Sequence, residues 1–284
     1  TNTYQDQENR KLSGFFRKYQ DIIAAIQRQD RDGFFFFDDF QGGGAAQVST
    51  AHTWYGGLPA QNYLTYATAS TTVKPSNTAA DDEIGVLEIA GNDADNDECY
   101  LTFDNTYTEA FGKVSNAAGD RRPIWFEARV RFSDVSLQVS KFIGLNERAA
   151  PATGDIANGG ASFADKSYLG FRALAADPDG MDAVYRNNGG ASERVAKEAA
   201  AFTSLNLTAS TFKKFGLHFD GTHFWYYVDG VKVNSTGILP SATDFPNGDP
   251  LLPKLMVRSE EAVSGQKVGI DWWAFMRLDD LYIR

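Results

Sequence analysis

The run Phe215-Gly216-Leu217-His218-Phe219-Asp220-Gly221-Thr222-His223-Phe224-Trp225-Tyr226-Tyr227-Val228-Asp229-Gly230-Val231-Lys232-Val233 decides the fold. Two Asp-Gly dipeptides divide it into three short stretches of alternating character. Such a dipeptide between alternating stretches is the strongest short-range signal for a hairpin closed by a two-residue type I′ turn. Counting outward from the first turn sets Phe219 opposite Thr222, Leu217 opposite Phe224 and Phe215 opposite Tyr226. Counting from the second sets Val228 opposite Val231 and Tyr226 opposite Val233. Both counts place these residues on one face and leave Lys214, Gly216, His218, His223, Trp225, Tyr227, Lys232 and Asn234 on the other. A slip of one residue would bury the lysines, so the two turns support a single register. The expectation is an antiparallel meander with an apolar inner face and a polar-aromatic outer one.

The same period of two recurs through much of the remaining chain. In Ile124 to Phe132, Ile124, Phe126, Ala128, Val130 and Phe132 point one way and Trp125, Glu127, Arg129 and Arg131 the other, as a half-buried strand requires. Further strands are expected near Ile84 to Ile89, Cys99 to Phe103, Lys141 to Leu145, Tyr168 to Leu174, Ala183 to Arg186 and Lys254 to Arg258. Val268 to Leu278 is apolar on both faces, Ile270, Trp272, Ala274 and Met276 on one and Trp273 and Phe275 on the other. A strand apolar on both sides is central and covered on both sides. The stretches 148–161 and 187–191, rich in Gly, Ala and Asn, read as surface loops, and 196–201 as one helical turn. No repeat of 20 to 50 residues appears, which disfavours propellers and solenoids.

Residues 1–33 follow another rule. Leu12, Phe16, Tyr19, Ile23 and Ile26 recur at spacings of four and three, the seam of a short amphipathic helix. A helix this short is marginal alone in water. It is expected as a docking or assembly arm, on its own sandwich, on copies of itself or on a partner. Residues 34–284 form the sandwich, so the fold class is all-β with a short N-terminal α-helix.

The chain has 284 residues, 43% of them hydrophobic, with a formal net charge of −10. That length suffices for one large sandwich with its own core. A single cysteine, Cys99, excludes an internal disulfide and gives no sign of an oxidising compartment. The negative balance opposes binding to nucleic acid phosphates. With no leader pattern and no apolar run of membrane-spanning length, the expectation is a chain made and kept soluble in the cytoplasm.

Several short runs carry a resemblance. Phe37-Asp38-Asp39-Phe40, Ile124-Trp125-Phe126-Glu127, Phe142-Ile143-Gly144-Leu145, Tyr168-Leu169-Gly170-Phe171-Arg172, the meander and Ile270-Asp271-Trp272-Trp273 together resemble concanavalin A-like lectin/glucanase domains of the LamG-like kind. They are similar in particular to the versions in structural proteins of tailed bacteriophages. The resemblance implies an antiparallel jelly-roll sandwich and a non-enzymatic virion protein, one that decorates or stabilises the capsid or belongs to a fibre or tail. It implies other virion proteins as partners, a homo-oligomer, and a place in the virion after synthesis in the host cytoplasm. A carbohydrate-binding module or adhesin is the alternative, and a glucanase ranks below both.

Glucanases of this superfamily carry Glu-x-Asp-x-x-Glu on one strand. Here Glu83 and Glu88 keep the spacing while Gly85 stands where the aspartate would be, and a pair without that neighbour lacks the group that sets its protonation. No catalytic residue is therefore assigned. His218 and His223, cross-strand neighbours in the derived register, offer two ligands where a zinc site needs at least three protein groups. Asp93, Asp95 and Asp97 alternate as in a calcium loop, but Glu98 stands at the sixth position and the flanks are strands, unlike an EF-hand. A non-EF calcium loop stays open beside a solvated acidic turn, and no other cofactor is expected. The remaining candidate is the outer patch of Trp225, Tyr227, His218, His223, Asn234 and Lys232. Aromatic rings stack on sugar faces while amides and charges take hydroxyls, so the patch suits a glycan, but packing under the N-terminal helix, a loop or another sheet, or a protein interface, is the leading expectation for it.

Overall fold

The computed structural model describes residues 20–28, 32–38, 40, 46–47, 52–55, 62–67, 72–75, 85–90, 97–103, 112–117, 121–135, 138–147, 165–190, 192–195, 206–260 and 267–279. They hold one helix, α1 (Gln20–Gln27), and eighteen strands numbered in chain order. The loops expected over 148–161 and the helical turn over 196–201 lie outside the described residues.

Two antiparallel sheets carry the strands. Sheet A runs β16 (Val231–Lys232), β15 (Phe224–Val228), β14 (Lys213–Phe219), β9 (Ile124–Phe132), β18 (Lys267–Leu278), β6 (Leu87–Ala90), β5 (Thr72–Pro75) and β2 (Ala46–Gln47), with β1 (Gly33–Asp38) also paired to β18. Sheet B runs β13 (Arg194–Val195), β12 (Asp177–Arg186), β11 (Tyr168–Leu174), β10 (Val139–Glu147), β17 (Pro250–Ser259), β7 (Glu98–Phe103), β4 (Asn62–Ala67) and β3 (His52–Tyr55), with β8 (Gly112–Lys113) on β17. The fold is the expected all-β sandwich.

The core lies between the sheets and is built by alternation. Ile124, Phe126, Ala128, Val130 and Phe132 of β9 meet Ile143, Leu145, Leu169, Phe171 and Leu255 of sheet B in one buried cluster. Aromatic rings bridge the layers, Phe171 lying 5.1 Å from Phe215 and 5.4 Å from Tyr226. The Tyr226 hydroxyl crosses the core to donate to the Val184 carbonyl at 2.7 Å, which satisfies a polar group that would be costly to bury alone.

The central strand β18 departs from strict alternation. Ile270 faces Val130 and Trp272 faces Arg129, so Asp271 is an extra residue in a β-bulge. A bulge reverses the facing of everything beyond it. Val268 and Ile270 therefore share the inner core with Trp273 and Phe275, while Trp272, Ala274 and Met276 turn outward. The expected grouping of Ile270 with Trp272, Ala274 and Met276 is corrected on this ground.

The outward half of β18 is covered by the chain itself. Ile23 is buried with Trp125, Trp272, Ala274, Met276 and Leu278, and Ile22, Ile26, Phe35, Phe37 and Tyr227 pack around them. The described part of the seam thus docks on its own sandwich, while Leu12, Phe16 and Tyr19 lie outside the described residues.

A second departure is β12, which begins at Asp177-Pro178-Asp179-Gly180, a run with strong turn chemistry. The register of its ladder with β11 shifts there, between the pairs Arg172 to Asp182 and Leu174 to Asp177. A proline is tolerated where no ladder bond is required of it. The Pro178 carbonyl accepts from Lys141 Nζ at 2.7 Å.

Lys141 is itself a buried cation, 1% exposed, on the inward side of β10 with Val139 and Ile143. Burial draws its pKa from 10.5 down to about 8, against the attraction of Asp134 and Asp179. The folded chain therefore gives up this proton before the unfolded chain does. Stability contributed by the site is lowest below about pH 8 and rises as pH climbs from about 8 to 10.5. Lys141→Met is expected to raise stability at neutral pH by roughly 1 to 3 kcal/mol and to flatten that rise, as read by urea denaturation at several pH values.

Candidate functional site

The outer face of sheet A is organised in rows across the strands. One row sets Met276, Trp125, His218 and Trp225 side by side, and the next sets Ala274, Glu127, Gly216, Tyr227 and Lys232. His218 stacks on Trp125 at 4.9 Å and 18°. The end of the first row near β1 and α1 is buried, and the end near β16 opens outward.

The expected register holds at one turn and changes at the other. Val228 pairs with Val231 as counted, with Asp229 and Gly230 at φ 50° and 79°, as a type I′ turn demands. At the first turn Phe219 pairs with Phe224 and Leu217 with Tyr226, a shift of two residues. Only Gly221 has positive φ there, at 93°. The cause is the Asp220 side chain. Its Oδ1 accepts from the backbone N–H groups of Thr222 at 2.8 Å and His223 at 2.7 Å, a side-chain turn that competes with the tight hairpin. A shift of two leaves every side chain on its face. It nevertheless corrects one expectation, because His218 now faces Trp225 while His223 sits in the turn, and the two histidines are not a cross-strand pair. Among the described residues no group of three or more His, Cys, Asp or Glu side chains could hold a metal ion. Asp93 and Asp95 lie outside the described residues, and Asp97 is buried.

Asp220 also fixes the indole of Trp225, whose Nε1–H donates to Oδ2 at 3.0 Å. The Lys232 ammonium stands 3.5 Å from the Trp225 ring centroid and the His223 ring 5.9 Å from it. Gly237 seats the far edge, since a Cβ there would come within 2.6 Å of both Trp225 Cζ2 and His223 Cβ. Of the predicted patch Lys232 is exposed and Trp225, beneath it, is half-buried. Tyr227 is half-buried and packs into the cluster under α1. Asn234 is not on the patch: it is 2% exposed, accepts from Tyr226 N–H and donates to the carbonyls of Phe224 and Thr236. It takes over edge bonding where β16 stops after two residues.

Beyond the same turn lies a cleft of about 250 Å³ lined by Gly221, Thr222, Asn116, Arg121, Leu239 and Ser241, among others. Leu239 is 46% exposed, giving the cleft an apolar contact beside a guanidinium, an amide and two hydroxyls. Sequence reading missed all of these, because they come together from three separate loops. One carboxylate joins the two halves: Asp220 holds Trp225 with one oxygen and the cleft-lining turn with the other.

Sheet B presents no comparable platform among the described residues. Tyr100, Phe142, Tyr168, Val184 and Met256 form a buried layer on its outer face. Arg172 is ion-paired with Glu193, which also accepts from the Tyr168 hydroxyl. Burial, then the Glu193 charge, hold that phenol well above its ordinary pKa.

No family model matches the chain, and no curated protein matches it. Solved structures do match. The chain is similar to a glycoside hydrolase family protein from Mycobacterium thermorestibile, with TM-score 0.50 and 12% identity over 84% of this chain and 99% of that one. A β-1,3-1,4-glucanase (lichenase) from a mouse hindgut metagenome matches with TM-score 0.48 and 11% identity over 85% and 98%. The carbohydrate recognition domain of Emp46p, in a potassium-bound form, matches with TM-score 0.45 and 12% identity over 75% and 87%. The likeness to the Mycobacterium thermorestibile protein is one of the sandwich fold. One expectation is thereby corrected. The sequence reading excluded catalysis, whereas the sandwich as a whole shares its fold with a glycoside hydrolase, so the exclusion does not stand. At 12% identity the likeness is one of fold. Of the two glutamates weighed earlier, Glu83 lies outside the described residues and Glu88 is paired with Lys267 at 3.1 Å.

Two tests follow from this geometry. Asp220→Asn keeps an acceptor for the turn and loses the one for the indole, so the Trp225 indole N–H resonance is expected to move with little change in stability. Asp220→Ala loses both and costs roughly 1 kcal/mol. His218, half-buried against Trp125, has its pKa lowered from 6.5 to about 4 by burial, opposed by Asp220 and reinforced by Lys232. The unfolded chain takes up this proton first, so stability is expected to fall as pH drops from 6.5 towards 4. His218→Gln removes that part of the slope in denaturation curves.

Proposed function

We propose that this protein is a carbohydrate-binding sandwich that engages glycans at the Asp220 turn, with Trp225 as the stacking platform. The observation that carries the reading is the Asp220 carboxylate, which fixes the indole and the wall of the adjoining cleft together. A pyranose presents one apolar C–H face and a rim of hydroxyls. The indole, already oriented, loses no rotamer freedom when that face stacks on it. Lys232 is exposed on a two-residue edge strand, so its side chain moves aside at small cost and its ammonium then donates to ring hydroxyls. Arg121, Asn116, Thr222 and Ser241 supply further donors and acceptors for a second sugar unit in the cleft. The tailed-phage setting implied by the sequence motifs rests on those motifs alone, and this reading does not require it.

A glycan array followed by calorimetry tests the proposal. The expected result is saturable binding to at least one neutral oligosaccharide, weakened about tenfold or more by Trp225→Ala with the circular dichroism spectrum unchanged. An array without hits, or a Trp225→Ala protein that binds as tightly as the parent, overturns it.

A further inference from the structure

The cleft beside the Asp220 turn holds a cation that the turn does not use. Its wall joins two segments in close approach: a Cβ at Gly221, whose φ is 93°, would stand 3.3 Å from the Arg121 carbonyl oxygen. Arg121 lines the cleft, and its Nε donates to the Asn116 carbonyl at 3.3 Å. That bond holds one edge of the guanidinium and leaves the terminal nitrogens with donors to spare. Among the described residues no carboxylate pairs with Arg121, whereas the adjoining Arg122 is paired with Asp279 at 3.3 Å.

The support beneath Arg121 is itself fixed. The Asn116 backbone N–H donates to Asn247 Oδ1 at 3.1 Å, and Asn247 Nδ2 donates back to Asn116 Oδ1 at 3.0 Å. No acidic residue is among the described residues lining the cleft. The carboxylate of the turn, Asp220, already accepts from the N–H groups of Thr222, His223 and the Trp225 indole. Around the cation stand the hydroxyl-bearing Thr222 and Ser241 and the exposed Leu239.

These groups together select a ligand class. A simple inorganic anion would meet the guanidinium and leave the hydroxyls and Leu239 without partners. A neutral sugar would meet the hydroxyls and bring no countercharge. A sugar unit with an anionic substituent does both, its charged oxygens accepting from the terminal nitrogens while its ring lies along Leu239 and its hydroxyls reach Thr222 and Ser241. We infer that this cleft is the subsite for a sugar unit bearing a carboxylate or a sulfate ester, with Arg121 as its clamp. The assignment rests on the reading of the cleft as a sugar subsite and names the unit that follows the one stacked on Trp225. A neutral glycan still binds through the indole, and the anionic unit adds to it.

Nuclear magnetic resonance titration of the isotope-labelled full chain tests the inference, with the Gly221 and Thr222 amide resonances as reporters. The probes are glucose, glucuronate, sulfated glucose and inorganic sulfate. One or both of the anionic sugars are expected to shift these resonances saturably and to bind about tenfold or more tightly than glucose and than inorganic sulfate. Which of them does so identifies the anionic group. Arg121→Gln is expected to remove that preference, and Arg121→Lys, which keeps the charge and loses the planar fork, to retain part of it. Sodium chloride is expected to lower the preference in the unaltered protein, a readout that needs no variant to fold. The inference is overturned if neither anionic sugar shifts the reporters, if glucose or inorganic sulfate binds as tightly as both, or if Arg121→Gln binds them as the parent does. A neutral oligosaccharide bound through Trp225, with no gain from an anionic unit, overturns the subsite and leaves the platform standing. Anionic sugars held at Arg121, with no neutral glycan bound, remove the platform and keep the subsite.

Discussion

The bulge at Asp271 is the constraint on which the rest of the sandwich depends. β18 pairs with β9 on one edge and with β6 and β1 on the other, so its facing sets the facing of sheet A. A strand without the bulge would put Ile270 and Trp272 on one side and leave Trp273 and Phe275 opposite. With it, Val268, Ile270, Trp273 and Phe275 all enter the core, and Trp273 stacks on Phe103 of sheet B at 5.2 Å and 13°. The displaced Asp271 turns its carboxylate to Arg129, 2.5 Å away and partly exposed. The carboxylate is itself buried, and a buried carboxylate needs such a partner. Its role is to give the extra residue a polar partner where the ladder gives it none.

The bulge also creates the need for α1. Turning Trp272, Ala274 and Met276 outward produces an apolar strip on the far side of sheet A, joined by Trp125. Burying such a strip is worth roughly 25 cal/mol per Å² of apolar area, and Ile22, Ile23 and Ile26 of α1 with Phe35 and Phe37 of β1 do so. The covering stops part of the way along the row. Past His218, which stacks on Trp125, the same row reaches Trp225, whose ring meets an exposed lysine in place of a helix. One face thus holds a structural half and an open half, and the candidate glycan platform is the open continuation of a packing surface.

How much of this was legible follows from parity. Strands whose alternation runs without a break, such as β9 and β11, could be read with the bounds they have. The first hairpin was misread by two residues because the Asp220 side chain outcompetes the tight turn, yet its faces came out correctly, since a shift of two preserves them. The facing of β18 was misread because a bulge shifts by one. Nothing local to Ile270-Asp271-Trp272 distinguishes a bulge from a continued strand, as the evidence for it lies in the partner strand. Asn234 was placed on the patch by the same counting. It turns inward because β16 ends and the unpaired edge of β15 needs a donor and an acceptor. The cleft beside the Asp220 turn was invisible for a simpler reason, since it is assembled from three separate segments of the chain.

A missing carboxylate between Glu83 and Glu88 tests one strand against one family pattern, and a sandwich with the fold of a glycoside hydrolase offers many other positions for acidic pairs. What the described residues do show is where polar groups are held ready and where they are spent. Arg172, Glu193 and Tyr168 satisfy one another in a buried layer, as buried charges must. At the Asp220 turn the carboxylate instead orients the Trp225 indole beside the exposed Lys232. Groups held in place beforehand avoid the ordering cost that flexible surface residues incur, and on this sandwich the half-buried Trp225 ring and the cleft beside it meet at the Asp220 turn.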